Sequence, residues 1–377
     1  MIDWLEALVL GVVQGFTEFL PVSSDGHLAV AQRLFSHVAG VKHSAADEVF
    51  FDVMLHVGTL TAIVLYYRAE WTRALHALFA TPPSAGDGRP PSFATRTLRL
   101  IVEQSKSLLL PSRAATAHDA TATGAAALDP RAVVRAVLLA GVATIPLVPD
   151  ALFLKKWIDQ SFQSMSMIGI GFWITAVTLL ATSRLRANSL LSGGSKNAWT
   201  TTCLDALLIG IAQMFAPLPG VSRSGLTVAA ALALGFSPAW AVGFSLLIAC
   251  PAIGGAAVYE LLKHMPHGLG IVEVIRVVAA ASVAGVIGYL SISWLASVVR
   301  ERRLWYFSIY LMILGTVVLA ASAIVAESPR EQASTSTLDR PVRLELRRPT
   351  DRRHPRRPAA TLAHAERTRT PAHRRRA

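Results

Sequence analysis

Long apolar stretches separated by short polar segments occupy most of residues 1–326. A helix needs roughly 20 mostly apolar residues to cross a membrane. Six stretches meet this length, and each is predicted to be a full transmembrane helix: 50–67, 132–154, 165–183, 227–248, 271–299 and 305–326. Arginines follow several of these stretches directly, and Trp or Tyr lies near their ends, which is typical of membrane–water interfaces.

Two shorter apolar segments, 7–21 and 204–219, break in a different way. The first stops at Pro-Val-Ser-Ser-Asp-Gly-His and the second at Pro-Gly-Val-Ser-Arg-Ser-Gly, and each then resumes as an apolar run. Irregular backbone at membrane depth is tolerated only where it is buried in protein or lines a wet cavity. We therefore predict two re-entrant helical hairpins, each of which enters the membrane, unwinds and turns back.

The two segments also match each other. When the first is shifted by 199 residues, 8 of 24 positions are identical without a gap, and Gln14 then falls on Gln213 and Ser23 on Ser222. This indicates an internal duplication, and such halves often have inverted topology in membrane proteins. The predicted fold is an all-α polytopic membrane protein with about six full transmembrane helices and two re-entrant hairpins, arranged as an inverted internal repeat of about 1–183 and 202–326.

Composition supports a membrane domain over 1–326. Apolar residues make up 53% of the chain and charged residues 16%, and the mean hydropathy is +0.45. The Arg/Pro-rich segment 327–377 holds most of the formal net charge of +12, because residues 328–377 carry 14 Arg and 5 acidic residues and so contribute +9. A basic folded face for nucleic acid is therefore not expected. We predict a disordered tail, for which a solvated role is favoured over contact with anionic lipid headgroups.

Other features of composition narrow the possibilities further. The 81–128 segment is rich in Pro, Ala, Ser and Thr and is predicted to be a surface-loop insertion. Only Cys203 and Cys250 are present, without a CxxC pair, so a disulfide framework or a zinc–thiolate site is not expected. The acidic residues Asp3 and Glu6 argue against a cleavable signal peptide.

The first break carries groups suited to proton transfer and nucleophilic attack. Gln14 and Glu18 share a helix face, since they are four residues apart. Ser23, Ser24, Asp25 and His27 follow within ten residues. A carboxylate in an apolar helix is costly and usually has a partner. A metal ligand, a nucleophile and a proton carrier are all available here. The alternatives are a structural buried pair for Glu18 and a packing role for His27.

The second break has the chemistry of an anion site. Gly220 allows close approach of the backbone, Arg223 offers a planar fork suited to phosphate oxygens, and a helix N-terminus follows. Hydroxyls surround the arginine at the remaining positions of the motif, which are Ser222, Ser224 and Thr227. The alternative is an arginine that closes a helix end. Inverted halves would bring the acidic and the cationic motif together, and the natural substrate of such a site is an anionic phosphorylated lipid.

These motifs resemble those of the undecaprenyl-diphosphatase family, also called the bacitracin-resistance protein. The resemblance lies in Gln14-Gly-Phe-Thr-Glu18 leading into Phe-Leu-Pro-Val-Ser-Ser-Asp-Gly-His27, and in Pro219-Gly-Val-Ser-Arg-Ser-Gly-Leu-Thr227. The stretch 51–59, Phe-Asp-Val-Met-Leu-His-Val-Gly-Thr, is also similar to the family's next helix. The similarity covers about 1–68 and 132–326.

The resemblance implies hydrolysis of undecaprenyl diphosphate to undecaprenyl phosphate and inorganic phosphate, which recycles the lipid carrier of peptidoglycan synthesis. It implies a multi-pass protein of the bacterial plasma (inner) membrane with its site at the outer face, and dependence on a divalent cation, Mg²⁺ or Ca²⁺. Glu18 and Gln14 would serve the metal and water. His27 would be general acid/base or nucleophile, and Arg223 would clamp phosphate. The remaining motif residues would lie around the diphosphate: Ser23, Ser24, Gly220, Ser222, Ser224 and Thr227.

Two features depart from the family pattern or leave the mechanism open. Position 14 is Gln, not Glu, and Asp25 stands where a small or hydroxyl residue is more usual, so it could supply a metal-binding charge. The attacking group is water or a serine such as Ser24. A homodimer is compatible with the sequence, which leaves the oligomeric state open.

Rival functions are a different lipid phosphatase, a transporter and a scaffold. The Lys-x6-Arg-Pro and Arg-x5-His-x3-Asp motifs of acid-phosphatase-like enzymes are absent from the sequence. Inverted repeats with broken helices also occur in transporters, so a flippase of a polyprenyl phosphate is the alternative function. A structural scaffold would explain neither motif. The positive-inside rule places the basic loops in the cytoplasm and both ends outside, whereas the arginine tail argues for the opposite orientation.

Overall fold

The computed structural model describes residues 3–40, 45–79, 130–149, 153–162, 164–187, 194–264 and 270–338. The predicted insertion at 81–128 and the tail beyond 338 lie outside these ranges. Twelve α-helices are found in the described residues: α1 Trp4–Thr17, α2 Ser24–Ala39, α3 Ala45–Tyr66, α4 Arg68–Phe79, α5 Pro130–Thr144, α6 Lys155–Ser161, α7 Met165–Ala187, α8 Cys203–Gln213, α9 Arg223–Ala233, α10 Pro238–His264, α11 Ile271–Arg300 and α12 Trp305–Leu338.

The all-helical, polytopic membrane fold is confirmed at this level. Five helices of the described chain are long and apolar enough to cross a membrane: Asp47–Tyr66, Met165–Leu185, Pro238–Lys263, Ile271–Arg300 and Trp305–Ile324. Large apolar side chains remain exposed on them, for example Leu290 and Ile313 at 64% and 62%. Such exposure is expected where lipid tails, not water, surround the protein. The tail prediction differs at its start, since α12 continues to Leu338.

The predicted span at 132–154 is not a continuous helix. Helix α5 ends at Thr144, and a 3₁₀ turn over Ile145–Leu147 follows. Pro146 lies within this turn, and a proline cannot donate the backbone hydrogen bond that an α-helix needs at that point. Hydropathy alone did not distinguish this short helix and turn from a span, so the expectation of six full spans is wrong for the described residues.

The predicted span at 227–248 straddles a break between two helices. Helix α9 ends at Ala233, and α10 begins at Pro238. Gly235 has φ of +84°, which reverses the chain, and its amide donates to the carbonyl of Leu232. The full span in this region is therefore Pro238–Lys263, about ten residues later than expected.

Helices α1 and α3 both pack along α11 and run parallel to it. Trp4 lies beside Arg276 at the start of α11, with the guanidinium 5.5 Å from the ring centroid. Near the other end, Tyr66 at the end of α3 makes an edge contact with Tyr289. The broken segments of the short helix pairs α1–α2 and α8–α9 lie in the interior of the described bundle, where Phe19, Val22 and Val221 are buried.

The breaks in these two helix pairs fall at matching positions. Helix α1 starts at Trp4 and α8 at Cys203, while α2 starts at Ser24 and α9 at Arg223, so both offsets are 199 residues. The residue before each second helix is a serine that accepts a bond from the backbone amide three residues later: Ser23 from Gly26 and Ser222 from Gly225. This is ordinary N-capping, and it explains where each chain segment becomes helical again.

Candidate active site

The acidic and the cationic motif meet in the interior of the bundle. The Nη2 atom of Arg223 lies 2.6 Å from Oε1 of Glu18, although the two residues are 205 positions apart. The exposed fraction of the side chain is 3% for Glu18 and 15% for Arg223. A buried charge needs a partner, and each of these charges neutralises the other. The acidic and the cationic motif are therefore in direct contact in the described structure.

Glu18 also organises the hydroxyl and amide groups around it. Ser24 Oγ donates to Oε2 of Glu18 at 2.7 Å, and Gln14 Nε2 donates to the same oxygen at 3.0 Å. Gln14 reaches it because the two residues are one helical turn apart at the end of α1. Ser24 reaches it because α2 begins immediately after the turn. A serine hydroxyl bonded to a carboxylate is the arrangement of a nucleophile and its base.

Ser23 holds this turn in an uncommon backbone conformation. Its φ is +70°, a region that residues with a Cβ rarely adopt. Its carbonyl accepts from Nδ1 of His27 at 2.7 Å, and its hydroxyl caps α2. Strain of this kind persists only where surrounding bonds enforce it, and it is concentrated at functional sites. Ser23 is therefore placed beside the cluster as a shaping residue.

The turn before α9 brings Arg223 to the cluster. Gly220 has φ of +81°, and a Cβ there would meet the carbonyl of Ile168. Ser224 Oγ donates to the carbonyl of Leu20 at 3.0 Å and lies 3.2 Å from Ser222 Oγ, so the two breaks are tied together directly. Thr227 is fully buried and pairs with Ser245 at 2.6 Å. Its hydroxyl stabilises α9 against α10, while Ser222 and Ser224 lie nearer the arginine.

His56 joins the cluster although no catalytic role was assigned to it from the sequence. Its Nε2 lies 3.4 Å from Glu18 Oε2 and 3.4 Å from Asp25 Oδ1. Its Nδ1 donates to the carbonyl of Asp52 at 2.7 Å. Both ring nitrogens therefore face oxygen atoms. The polar pair Asp52 and His56, four residues apart in an apolar helix, is the sequence feature that could have identified it.

His27 points away from Glu18. Its Nε2 lies 2.7 Å from the hydroxyl of Tyr310, and its ring packs edge-on against Phe172. Since Nδ1 donates to the Ser23 carbonyl, a neutral ring accepts at Nε2 from the tyrosine. The structure therefore places His27 beside the cluster, one helical turn from Ser23, and not within bonding distance of the carboxylate.

Oxygen donors suited to a hard cation surround Glu18. Gln14 Oε1 is buried and has no hydrogen-bond partner among the described residues, and the carboxylate of Asp25 lies 3.4 Å from the same His56 nitrogen as Glu18. No group of three or more His, Cys, Asp or Glu residues in the described parts of the chain is arranged to hold a metal ion by itself. Mg²⁺ is commonly held by one or two carboxylates with substrate phosphates and water, and the donors here fit that mode.

The fold and the cluster define the class: a polytopic membrane protein with a buried site made of a carboxylate, a serine and an arginine. Comparison with known families makes this specific. The chain belongs to the family described as bacitracin resistance protein BacA, which it matches over residues 7–317.

Curated relatives named undecaprenyl-diphosphatase match almost along their whole length. The protein of Syntrophotalea carbinolica is 33% identical over 321 residues, covering 85% of this chain and 100% of the relative. That of Carboxydothermus hydrogenoformans is 31% identical, with 84% and 97% covered. That of Desulfosudis oleivorans is 34% identical, also with 84% and 97% covered. The sequence-based family assignment is confirmed.

Proposed function

We propose that the protein hydrolyses undecaprenyl diphosphate to undecaprenyl phosphate and inorganic phosphate. This activity recycles the lipid carrier of peptidoglycan synthesis and gives resistance to bacitracin. The observation that carries the proposal for this chain is the contact between Glu18 and Arg223, since it joins a base and nucleophile to an anion clamp. The names of the relatives point to the same reaction.

Ser24 is the nucleophile in this proposal. Its Oγ attacks the terminal phosphorus of the lipid diphosphate and passes its proton to Glu18, which already accepts its hydrogen bond. The bond from that phosphorus to the bridging oxygen breaks, and undecaprenyl phosphate leaves. Water then attacks the phosphoserine, releases inorganic phosphate and restores Ser24. The sum is one diphosphate and one water converted to two phosphates.

Arg223 would balance part of the charge of the substrate, and a bound divalent cation would supply the rest. Glu18 and Asp25 lie beside Arg223 and His56, so the cluster has no surplus positive charge of its own. Phosphoryl transfer depends mainly on positioning and charge stabilisation, and a diphosphate in an apolar interior needs further positive charge. Mg²⁺ or Ca²⁺ held by Glu18, Asp25 and Gln14 Oε1 would supply it. Arg223 itself uses one terminal nitrogen for Glu18, and its other donors can face phosphate oxygens.

The two broken helix pairs form re-entrant hairpins in inverted orientation. The first returns to its own starting face: Trp4 lies by the start of α11, and α2 runs back from Phe172 to Phe162 along α7. The second hairpin starts and ends at Lys196, which pairs with Asp205 in α8 and with Phe236 after α9. That end of the bundle is the opposite face, where α11 ends at Arg300. These contacts and the shared offset of 199 residues support the repeat.

The site opens toward the outer face of the bacterial inner membrane. Basic residues gather at the end of the bundle where α11 finishes, among them Arg300, Arg302 and Arg303, so that end is cytoplasmic by the positive-inside rule. Polar side chains lead from the cluster toward the other end. Asp25 and His56 are followed by Asp52, whose Oδ1 accepts from Gln32 at 2.8 Å. This arrangement supports entry of the headgroup from the outer side.

Phosphate release by the purified protein tests the activity. Undecaprenyl diphosphate in detergent would be incubated with wild type, Ser24→Ala and the matched variant Ser36→Ala, which changes a serine on the same helix about three turns away. We expect inorganic phosphate from wild type and Ser36→Ala and almost none from Ser24→Ala. A pure lipid transporter would release no phosphate from any of them, and that result would overturn the proposal.

An acid quench during turnover tests the nucleophile separately. With substrate labelled in its terminal phosphate, wild type should retain label on Ser24, and a peptide digest would locate it. Label on His27, or normal turnover by Ser24→Ala, would remove Ser24 from this role while leaving the overall reaction intact.

A further inference from the structure

A groove opens on the lipid-facing side of the bundle, between the end of α1 and the junction of α11 and α12. Its volume is about 760 Å³. Its walls are mostly apolar and aromatic, and the residues used below are Leu20, Trp294, Ser297, Phe307 and Tyr310. Ligand sites are typically concave, largely apolar and marked by a few placed polar groups. None of the sequence motifs accounts for this groove.

The groove and the catalytic cluster share one wall. Leu20 lines the groove, and its carbonyl accepts from Ser224 beside the arginine. Tyr310 lines it from α12, and its hydroxyl bonds to Nε2 of His27. The groove therefore begins at the turn that carries Glu18. A molecule whose charged end lies at Glu18 and Arg223 has this apolar groove next to it.

The opposite end of the groove is charged. Glu301 and Arg303, in the turn between α11 and α12, form an ion pair of 3.1 Å and also line the groove. From Trp294 to Glu301 the helix rises roughly 10 Å. The groove thus covers only a short length of an apolar chain. It extends from the cluster toward the end of α11, away from the polar side chains of Asp25 and Asp52.

We propose that this groove binds the first isoprenoid units of the polyprenyl chain of the substrate. The proposal rests on the proposed diphosphatase activity and adds the site of its lipid tail. The path by which the headgroup enters and the groove for the tail extend from the cluster in opposite directions. A lipid requires this arrangement if its headgroup enters from one membrane face and its chain points to the membrane interior. Tyr310, bonded to His27, stands at the junction of the two parts.

Steady-state kinetics with two substrates tests this groove. Ser297→Phe narrows it, and Thr178→Phe makes the same kind of change in a second lipid-facing groove lined by Trp173 and Leu319. The substrates are farnesyl diphosphate, whose C15 chain would fill the groove, and isopentenyl diphosphate, whose C5 group is too short to do so. Displacing about 50 Å² of apolar contact corresponds to a change in binding on the order of tenfold.

We expect Ser297→Phe to raise KM for farnesyl diphosphate about tenfold, with KM for isopentenyl diphosphate unchanged. Thr178→Phe should leave both values at the wild-type level. Equal effects on both substrates, no effect of Ser297→Phe, or the same effect of Thr178→Phe would show that the groove holds only ordinary bilayer lipid. Hydrolysis of undecaprenyl diphosphate by wild type is a separate readout. Its absence would refute the diphosphatase activity, whereas the difference in KM between the farnesyl and isopentenyl substrates tests the groove.

Protection from labelling gives a measurement that does not depend on turnover. Ser297→Cys and Thr178→Cys would each be made in a chain with Cys203→Ala and Cys250→Ala, and labelled with a maleimide. The methylene analogue of farnesyl diphosphate, which resists hydrolysis, should slow labelling at 297 and not at 178. Methylenediphosphonate, which has no tail, should protect neither. Equal labelling at 297 with and without the farnesyl analogue would overturn the proposal.

Discussion

Replacing Glu18 with Gln should separate catalysis from substrate binding. The substitution keeps the size of the side chain and removes its charge, so Ser24 loses its base and Arg223 loses its negative partner. Loss of a general base costs ~10²- to 10⁴-fold in rate, and we expect kcat to fall within this range. Binding should respond in the opposite direction, because an unpaired arginine attracts the diphosphate more strongly.

The geometry sets the size of the binding effect. Unit charges 2.6 Å apart attract each other by about 6 kcal/mol at an effective dielectric of about 20. If the contact of Arg223 with the substrate regains a quarter of this energy, about 1.5 kcal/mol, KM falls about tenfold. This follows only if Glu18 acts on Ser24 and competes for Arg223. It is measured with the divalent cation at saturating concentration, because Glu18 is also one of the proposed cation ligands. If Glu18 instead held the substrate, its loss would raise KM and leave kcat nearly unchanged.

The assay is phosphate release from undecaprenyl diphosphate over a range of substrate concentrations, with thermal unfolding in detergent as the check on folding. Glu6→Gln is the matched control, since Glu6 is also buried on α1 but lies three turns from Glu18. We expect wild-type kcat and KM for this control. A Glu18→Gln protein that unfolds like wild type but shows raised KM and normal kcat would refute the reasoning.

Three further predictions concern the surroundings of the cluster. His56→Ala should lower kcat about 100-fold by misplacing Glu18. His56→Gln should keep most of the wild-type kcat, because an amide can still donate to the carboxylate. An equal loss of kcat in both variants, with a changed pH profile, would mean that His56 transfers a proton. Gly220→Ala should lower the free energy of unfolding by at least about 1–2 kcal/mol, since φ is +81° there, and denaturation in detergent measures it. EDTA should abolish phosphate release, with recovery on adding Mg²⁺ or Ca²⁺ alone; full activity in EDTA would exclude the cation.

The sequence was informative wherever polar residues interrupt an apolar run. Proline, glycine and hydroxyl groups within 7–31 and 204–230 predicted two breaks, and the inferred inverted repeat predicted that the acidic and the cationic break would meet. These inferences depend on the free-energy cost of placing unpaired polar groups in the interior of a membrane. The mean hydropathy of a segment does not reveal a break that lies among apolar residues, as at Gly235. The span predicted at 227–248 was displaced for this reason.

The contacts that the sequence could not supply depend on how helices are set against each other. His56 reaches Glu18 because α3 and α1 lie along the same length of α11, and Tyr310 reaches His27 across 283 positions. The rotation and translation of one helix against another come from packing of many side chains, and no local pattern records them. A polar residue in an apolar helix therefore predicts that it has a partner, but not which one.

The two breaks carry different side chains at equivalent positions of the chain. Ser23 and Ser222 both cap a helix, but the next residue is Ser24 in one case and Arg223 in the other. Gln14 and Gln213 are both fully buried, yet Gln14 bonds to Glu18, while Pro217 stands where a second carboxylate would be and the amide of Gln213 has no partner in the described chain. Phosphoryl transfer explains the divergence, because a nucleophile with its base and a clamp for the anion must face each other across one phosphate. Two identical halves would offer two nucleophiles or two clamps, so halves related by a duplication can serve this reaction only after their side chains have become different.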